Sequence, residues 1–181
     1  ATTKQLAEAE TKLLTAKADA EAAKTHLQLE IQTAEATVKG LDSGIEQTQA
    51  GVQAIEQAIT AVNGITDAIT AIDGMGNLSI IFENLTEEQK ESISQICISV
   101  GIPVPSGNST MGDIKNSLNQ CKERILGGES DTSKLEAQKA ELQSTIADLE
   151  SQKAMAAAPI DQYKSALSEI EGNISKLDSA L

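Results

Sequence analysis

The sequence is almost free of aromatic side chains: it has no Trp, one Phe (Phe82) and one Tyr (Tyr163). Aromatic residues bury large areas and often anchor the cores and interfaces of globular proteins. Their scarcity excludes a wide core built on aromatic packing, so any core must consist of Leu, Ile, Val and Ala. These side chains are well suited to the narrow seam between packed helices.

Basic residues are also few, and long apolar runs are missing. The 14 Lys and Arg against 27 Asp and Glu give a formal net charge of −13. This argues against nucleic acid and anionic membranes as partners, because both bind basic patches. No apolar run approaches the roughly 20 residues of a spanning helix, so we expect no membrane insertion. No signal peptide is visible, and Ala1 is not an initiator Met, so we expect either a mature, trimmed chain or a boundary chosen for expression.

Apolar residues instead follow the 3.5-residue period of a coiled coil, in about the first 70 residues and again in the last third. The first series begins at Leu6 and Leu13 and is joined by a second series from Leu27 onward. The predicted seam residues are Leu27, Ile31, Val38, Leu41, Ile45, Val52, Ile55, Ile59 and Val62 in the first arm, and Leu142, Ile146, Leu149, Ile160, Leu167, Ile170 and Ile174 in the second.

The positions beside the first seam are small or apolar rather than charged. They carry Gly44, Gly51, Ala58 and Ile65. A two-stranded coil favours charged flanks, so a wider stripe favours a bundle of three or more helices. The surface of residues 40–72 is also weakly charged. Both features predict self-association, with copies of the chain or with related helical subunits.

The segment Gly40–Gly44 resembles a helix break, because each interior Gly costs roughly 1 kcal/mol of helix stability. The heptad phase nevertheless continues through it, and a turn would preserve that phase only by coincidence. We therefore predict one long helix in residues 1–73, bent or straight. The alternative is a helical hairpin that turns near Asp42.

Glycines and prolines divide the remainder into a head and a second arm. Residues 74–128 are predicted to form a compact helical head, with one helix that begins after the Thr86–Gln89 capping box and another at about 111–126. Residues 129–181 form the second heptad helix, with a kink or restart near Pro159. The predicted fold is all-α: an elongated coiled coil or helical bundle in one folding unit.

Cys97 and Cys121 each lie on the apolar face of one head helix. Because these faces are expected to pack together, we predict a Cys97–Cys121 disulfide that staples the head, and with it an oxidising compartment. The alternative is a pair of free cysteines that act as small buried apolar side chains.

Four Asn-x-Ser/Thr sequons occur, at Asn77, Asn84, Asn108 and Asn173. They are candidate glycosylation sites of a secreted or surface chain. The competing interpretation is structural, since Thr86 and either Ser109 or Thr110 are suited to capping helices.

Residues 40–89 contain no Lys or Arg but several acidic residues: Asp42, Glu46, Glu56, Asp67, Asp73, Glu83, Glu87 and Glu88. They form either a solvated surface or a stretch neutralised by a basic partner or by Ca²⁺ as a diffuse counter-ion. No EF-hand loop, catalytic constellation or zinc site is visible, and His26, the single histidine, fits a solvated helix position. We expect neither enzymatic activity nor a cofactor.

The heptads at 27–69 and 135–181, together with the base-free acidic run, resemble the crystalline matrix proteins of ciliate secretory granules. That resemblance implies a proteolytically matured subunit of a calcium-sensitive lattice that expands on release. The long helical hairpin with a stapled head also resembles the coiled-coil surface glycoproteins of trypanosomes.

Two functions remain open at this stage. The first is a structural protein that assembles through its seams into a filament or lattice, outside the cell or in a secretory-granule lumen. The second is a secreted or cell-surface helical glycoprotein whose head binds a protein or lipid partner.

Overall fold

The computed structural model describes residues 2–181 and confirms the all-α class. Four α-helices follow one another along the chain: α1 (Thr3–Gly74), α2 (Glu87–Val100), α3 (Met111–Leu126) and α4 (Ser133–Ala180). One short 3-10 helix, Phe82–Asn84, lies between α1 and α2. The described residues divide into two compact units, unit 1 with residues 2–47 and 145–181, and unit 2 with residues 48–144.

Unit 1 pairs the first part of α1 with the larger part of α4 in antiparallel orientation. The orientation follows from four ion pairs, in which the α4 partner moves toward lower numbers as the α1 partner moves toward higher ones. These pairs are Lys17–Asp178 (2.5 Å), Lys24–Glu171 (3.9 Å), Glu35–Lys164 (3.2 Å) and Asp42–Lys153 (2.5 Å).

Both segments that the sequence marks as possible interruptions lie inside continuous helices. Helix α1 runs through Gly40–Gly44, so the alternative hairpin near Asp42 is not observed. Helix α4 runs through Pro159, so the helix does not restart there. In both helices the apolar face is continuous across the interruption, and burial of that face outweighs the weak local propensity.

Unit 2 contains a compact core made by the end of α1 together with α2 and α3. Its largest fully buried side chains are Ile65, Ile72, Cys97, Met111 and Leu118. The predicted capping box is confirmed: the Thr86 hydroxyl accepts the Gln89 N–H, and the Gln89 side chain accepts the Thr86 N–H. Thr110 caps α3 by accepting the Asp113 N–H at 3.1 Å.

The predicted disulfide is wrong, because Cys97 and Cys121 are both free thiols. They are buried in the core of unit 2, where the Cys121 thiol donates to the Val100 carbonyl oxygen at 3.7 Å. Burial raises the pKa of Cys97, and the neighbouring Cys121 raises it further. Two apolar helix faces bring the cysteines into one core, but a disulfide also requires Cβ atoms about 3.5–4.5 Å apart.

Candidate assembly interface

The predicted seam residues all lie on covered faces of α1 and α4, but to different depths. In α1, Ile31, Ile45, Val52 and Val62 are buried, whereas Leu27, Val38, Leu41, Ile55 and Ile59 are half-buried. In α4 the seam side chains are half-buried throughout: Leu142, Ile146, Leu149, Ile160, Leu167, Ile170 and Ile174. The α4 side of the seam therefore retains apolar surface that its own chain leaves uncovered.

Glycines beside the seam give room to leucines of α4. In unit 1, Leu149 Cδ1 lies 3.7 Å from where a Cβ on Gly44 would be, and in unit 2 the corresponding distance from Leu142 to Gly51 is 3.3 Å. At the following positions in the same series, Ala58 is half-buried and Ile65 is fully buried. These residues extend the covered stripe of α1 beyond the two seam series.

Several acidic residues of the base-free run find lysine partners within their own unit. In unit 1, Lys153 contacts Asp42, and this hydrogen bond and charge raise the pKa of Lys153. In unit 2, Glu56 contacts Lys139 at 3.1 Å, and Asp73 contacts Lys115 at 2.6 Å. The run is thus partly neutralised by the chain itself. Within residues 2–181, no group of three or more His, Cys, Asp or Glu side chains could hold a metal ion.

The two units differ sharply in how much they bury. Among residues 2–47 and 145–181, the buried side chains are Ile31 and Ile45, each 8% exposed. Unit 2 instead buries a contiguous apolar cluster that includes Ile65, Ile72 and Leu118. Because burial of apolar surface is the main favourable term in folding, unit 1 is the part that gains most from additional apolar contacts.

The sequons occupy two kinds of position. Asn77, Asn84 and Asn108 are exposed and lie outside the four α-helices, whereas Asn173 is exposed within α4. The Asn77 side chain accepts the Ser79 N–H at 2.9 Å. His26 is solvent-exposed, with Nε2 at 3.7 Å from Glu30.

Two of the surface grooves in unit 2 contain apolar side chains, and the sequence patterns indicated neither of them. One has a volume of about 360 Å³ and lies between α1 and α2, where Ala68, Ala71, Met75, Ile93 and Ile96 line it. The other, about 460 Å³, lies at the turn Ile102–Pro105 beside α3 and mixes apolar side chains with Asp113 and Arg124. Their residues are far apart in the sequence, so no local pattern could have indicated them.

Comparison with protein-family models, with curated proteins and with solved structures finds no match to this chain. No helix within residues 2–181 is both long enough and apolar enough to cross a membrane.

Proposed function

We propose that the protein is a non-enzymatic structural subunit that self-assembles into a filament or lattice, in an extracellular or secretory-granule compartment. In this proposal α1 and α4 form an antiparallel coiled coil, and further helices from other copies cover the rest of the seam. The proposal depends most on the low burial of unit 1, where Ile31 and Ile45 are the buried side chains of residues 2–47 and 145–181.

The physical argument is that a half-covered apolar seam remains a driving force for association. Each square ångström of apolar surface removed from water contributes roughly 25 cal/mol. The seam of α4 is half-buried along its length, and Leu6, which continues the seam series of α1, is 62% exposed. A second pair of helices that packed against this stripe would make a bundle of more than two helices, as the small residues beside the seam favour.

In this proposal calcium acts as a diffuse counter-ion that reduces the repulsion between copies of the chain. With a net charge of −13, copies of the chain repel one another. Lysines of the chain neutralise Asp42, Glu56 and Asp73, so the cations would act on the remaining carboxylates. A divalent cation screens that repulsion more strongly than a monovalent one at equal concentration.

The test is negative-stain electron microscopy of the full chain with calcium, without it, and in NaCl at the same molar concentration as the calcium salt. Filaments or sheets, more abundant with calcium, are expected. Uniform single particles in all three conditions would contradict self-assembly. Ordered assemblies that ignore calcium would contradict only the counter-ion role.

Two variants identify the surface involved. Leu6→Asp places a charge on the exposed part of the seam series without touching the ion-paired region that begins at Lys17. Met155→Asp is the matched control, since Met155 is 70% exposed on α4 and lies outside the seam series. Loss of assembly in the first variant alone supports the seam. Equal assembly in both variants would mean that the seam is not the assembly surface.

The groove between α1 and α2 favours a second candidate function, a binding module whose head takes an apolar ligand. Its volume of about 360 Å³ lies within the range of small-molecule sites. Five of its lining residues are Ala, Met or Ile, and the others are Asp67, Glu88, Gln89 and Ser92. We test this with a fluorescent fatty acid. Ala71→Phe should fill the groove and abolish binding, whereas Phe at the exposed Ala54 should not. No binding by the wild type would contradict fatty-acid binding in this groove.

A further inference from the structure

The outer face of α1 in unit 1 has nearly the same order of residues in both directions along the helix, with Ala18 against Gly40 as the one difference. Leu29 is its centre, and equal spacings on either side carry matching residues. Moving outward by four, seven and eleven positions, the pairs are Thr25 and Thr33, Ala22 and Ala36, and Ala18 and Gly40. We call the set Ala18, Ala22, Thr25, Leu29, Thr33, Ala36 and Gly40 the symmetric face.

These spacings of three and four residues place the whole set on one side of an α-helix. That side is opposite Ile31 and Ile45, the residues that α1 buries in the contact with α4. Every residue of the symmetric face is exposed, and Leu29 is 59% exposed. The face is about 33 Å long at 1.5 Å per residue, and it contains no charged side chain.

From this arrangement we propose that the symmetric face binds the same face of a second copy, antiparallel and about a two-fold axis at Leu29. The inference rests on the proposed function of self-association and names a surface distinct from the seam. A two-fold contact requires each patch to be its own complement. An antiparallel pair about Leu29 meets this requirement, because Thr faces Thr and Ala faces Ala on either side of the axis.

Residue sizes along the face suit this contact. In the antiparallel register Leu29 meets Leu29, flanked by Thr against Thr and Ala against Ala, so that small side chains allow the two backbones to approach closely. The Thr25 hydroxyl already donates to the Glu21 carbonyl oxygen of its own helix at 3.1 Å. Its methyl group is therefore available for packing.

Charge complementarity at the edge of the face supports the same register. Glu21 and Lys39 lie on one flank of the symmetric face, one on each side of Leu29. In the two-fold contact, Glu21 of each copy lies about 3 Å along the axis from Lys39 of the other. The contact therefore has two opposite-charge pairs at this flank. A parallel two-fold pairing would place the two copies of Glu21 on opposite flanks and leave Lys39 about 27 Å along the axis from either of them.

The test measures the dimer dissociation constant of the full chain by sedimentation equilibrium, for charge variants of the flank. Glu21→Lys and Lys39→Glu should each weaken the dimer at least about tenfold, because each creates two like-charge pairs. The double variant, which exchanges the two charges, should restore wild-type affinity. If both single variants weaken the dimer and the double variant does not recover it, the antiparallel register is wrong.

Two variants test the axis itself. Leu29→Glu should abolish the dimer, with Met155→Glu as the control for an exposed apolar residue elsewhere in unit 1. Because Leu29 is exposed, circular dichroism should remain that of the wild type. Leu29→Cys should form an intermolecular disulfide between the two copies under mild oxidation, and Met155→Cys should not.

The results separate this inference from the proposed function. If the wild type self-associates and the Leu29→Glu variant does so with the same affinity, the symmetric face is not the contact. Self-assembly itself is not contradicted by that result. Failure of Leu29→Cys to cross-link has the same meaning. A wild type that remains monomeric throughout the dilution series overturns both.

Discussion

Leu142 packs into the space left by the missing side chain of Gly51: its Cδ1 atom lies 3.3 Å from the position that a Cβ on Gly51 would occupy. The contact pairs α1 with α4 inside unit 2. Gly64, in the same helix and the same unit, has no atom within 4 Å of its corresponding position. Substitutions at these two glycines therefore distinguish the effect of close packing on stability from the effect of helix propensity.

The first prediction concerns this pair of glycines. Gly51→Val should lower the free energy of unfolding by about 1–3 kcal/mol, because its methyl groups overlap Leu142. Gly64→Val should change it little or raise it slightly, since Val has a better helix propensity than Gly. Urea denaturation followed by circular dichroism measures both values. Adding Leu142→Ala to Gly51→Val should recover part of the loss, and no recovery would mean that Leu142 is not the obstacle.

The second prediction compares apolar truncations in the two units. Leu118 is fully buried in unit 2, so Leu118→Ala should lower the free energy of unfolding by about 2–5 kcal/mol. Leu167 in unit 1 is half-buried, and Leu167→Ala should lower it by less, about 1 kcal/mol. Urea denaturation at a protein concentration that keeps the chain monomeric gives both values. Equal losses would contradict the low burial of unit 1.

Much of the fold was predictable because helix signals are local. The apolar period placed Ile31, Ile45 and Leu167 on covered faces, and the Thr86–Gln89 spacing located the start of α2. The features that the sequence did not predict correctly depend on distances between residues that are far apart in the chain. Helix faces placed Cys97 and Cys121 in one core but could not set the separation of their sulfur atoms. The lysine partners of Asp42 and Glu56 depend on the antiparallel register of α1 and α4, which heptads alone leave undetermined. The grooves depend on how α1, α2 and α3 pack, which no local pattern specifies.

The third prediction concerns the thiols. Cys97 and Cys121 should react slowly with a thiol reagent in the native protein at neutral pH, because both are buried and the raised pKa of Cys97 further lowers its thiolate fraction. Both should react fully in urea, and reduction should leave the mass of the intact chain unchanged. A mass increase of about 2 Da on reduction would instead reveal a disulfide.

The fourth prediction uses pH to detect the Asp42–Lys153 ion pair. The hydrogen bond and charge of Asp42 raise the pKa of Lys153, so the pair stabilises the folded state wherever the lysine is charged. This contribution is complete below the ordinary lysine pKa of 10.5 and is lost as the pH rises through the folded-state pKa. At neutral pH the urea midpoint of Lys153→Gln should lie below that of the wild type, and the difference should shrink at strongly alkaline pH.

The matched control for that ion pair is Lys134→Gln, whose lysine is more exposed and contacts Glu129 at 3.8 Å. A longer contact between solvated groups contributes little, so this variant should show a smaller shift in the urea midpoint. The charge-exchanged double variant Asp42→Lys, Lys153→Glu should return most of the stability lost by Lys153→Glu alone. If Lys153→Gln and Lys134→Gln have the same midpoint at every pH, the Asp42–Lys153 contact does not stabilise the pairing of α1 with α4.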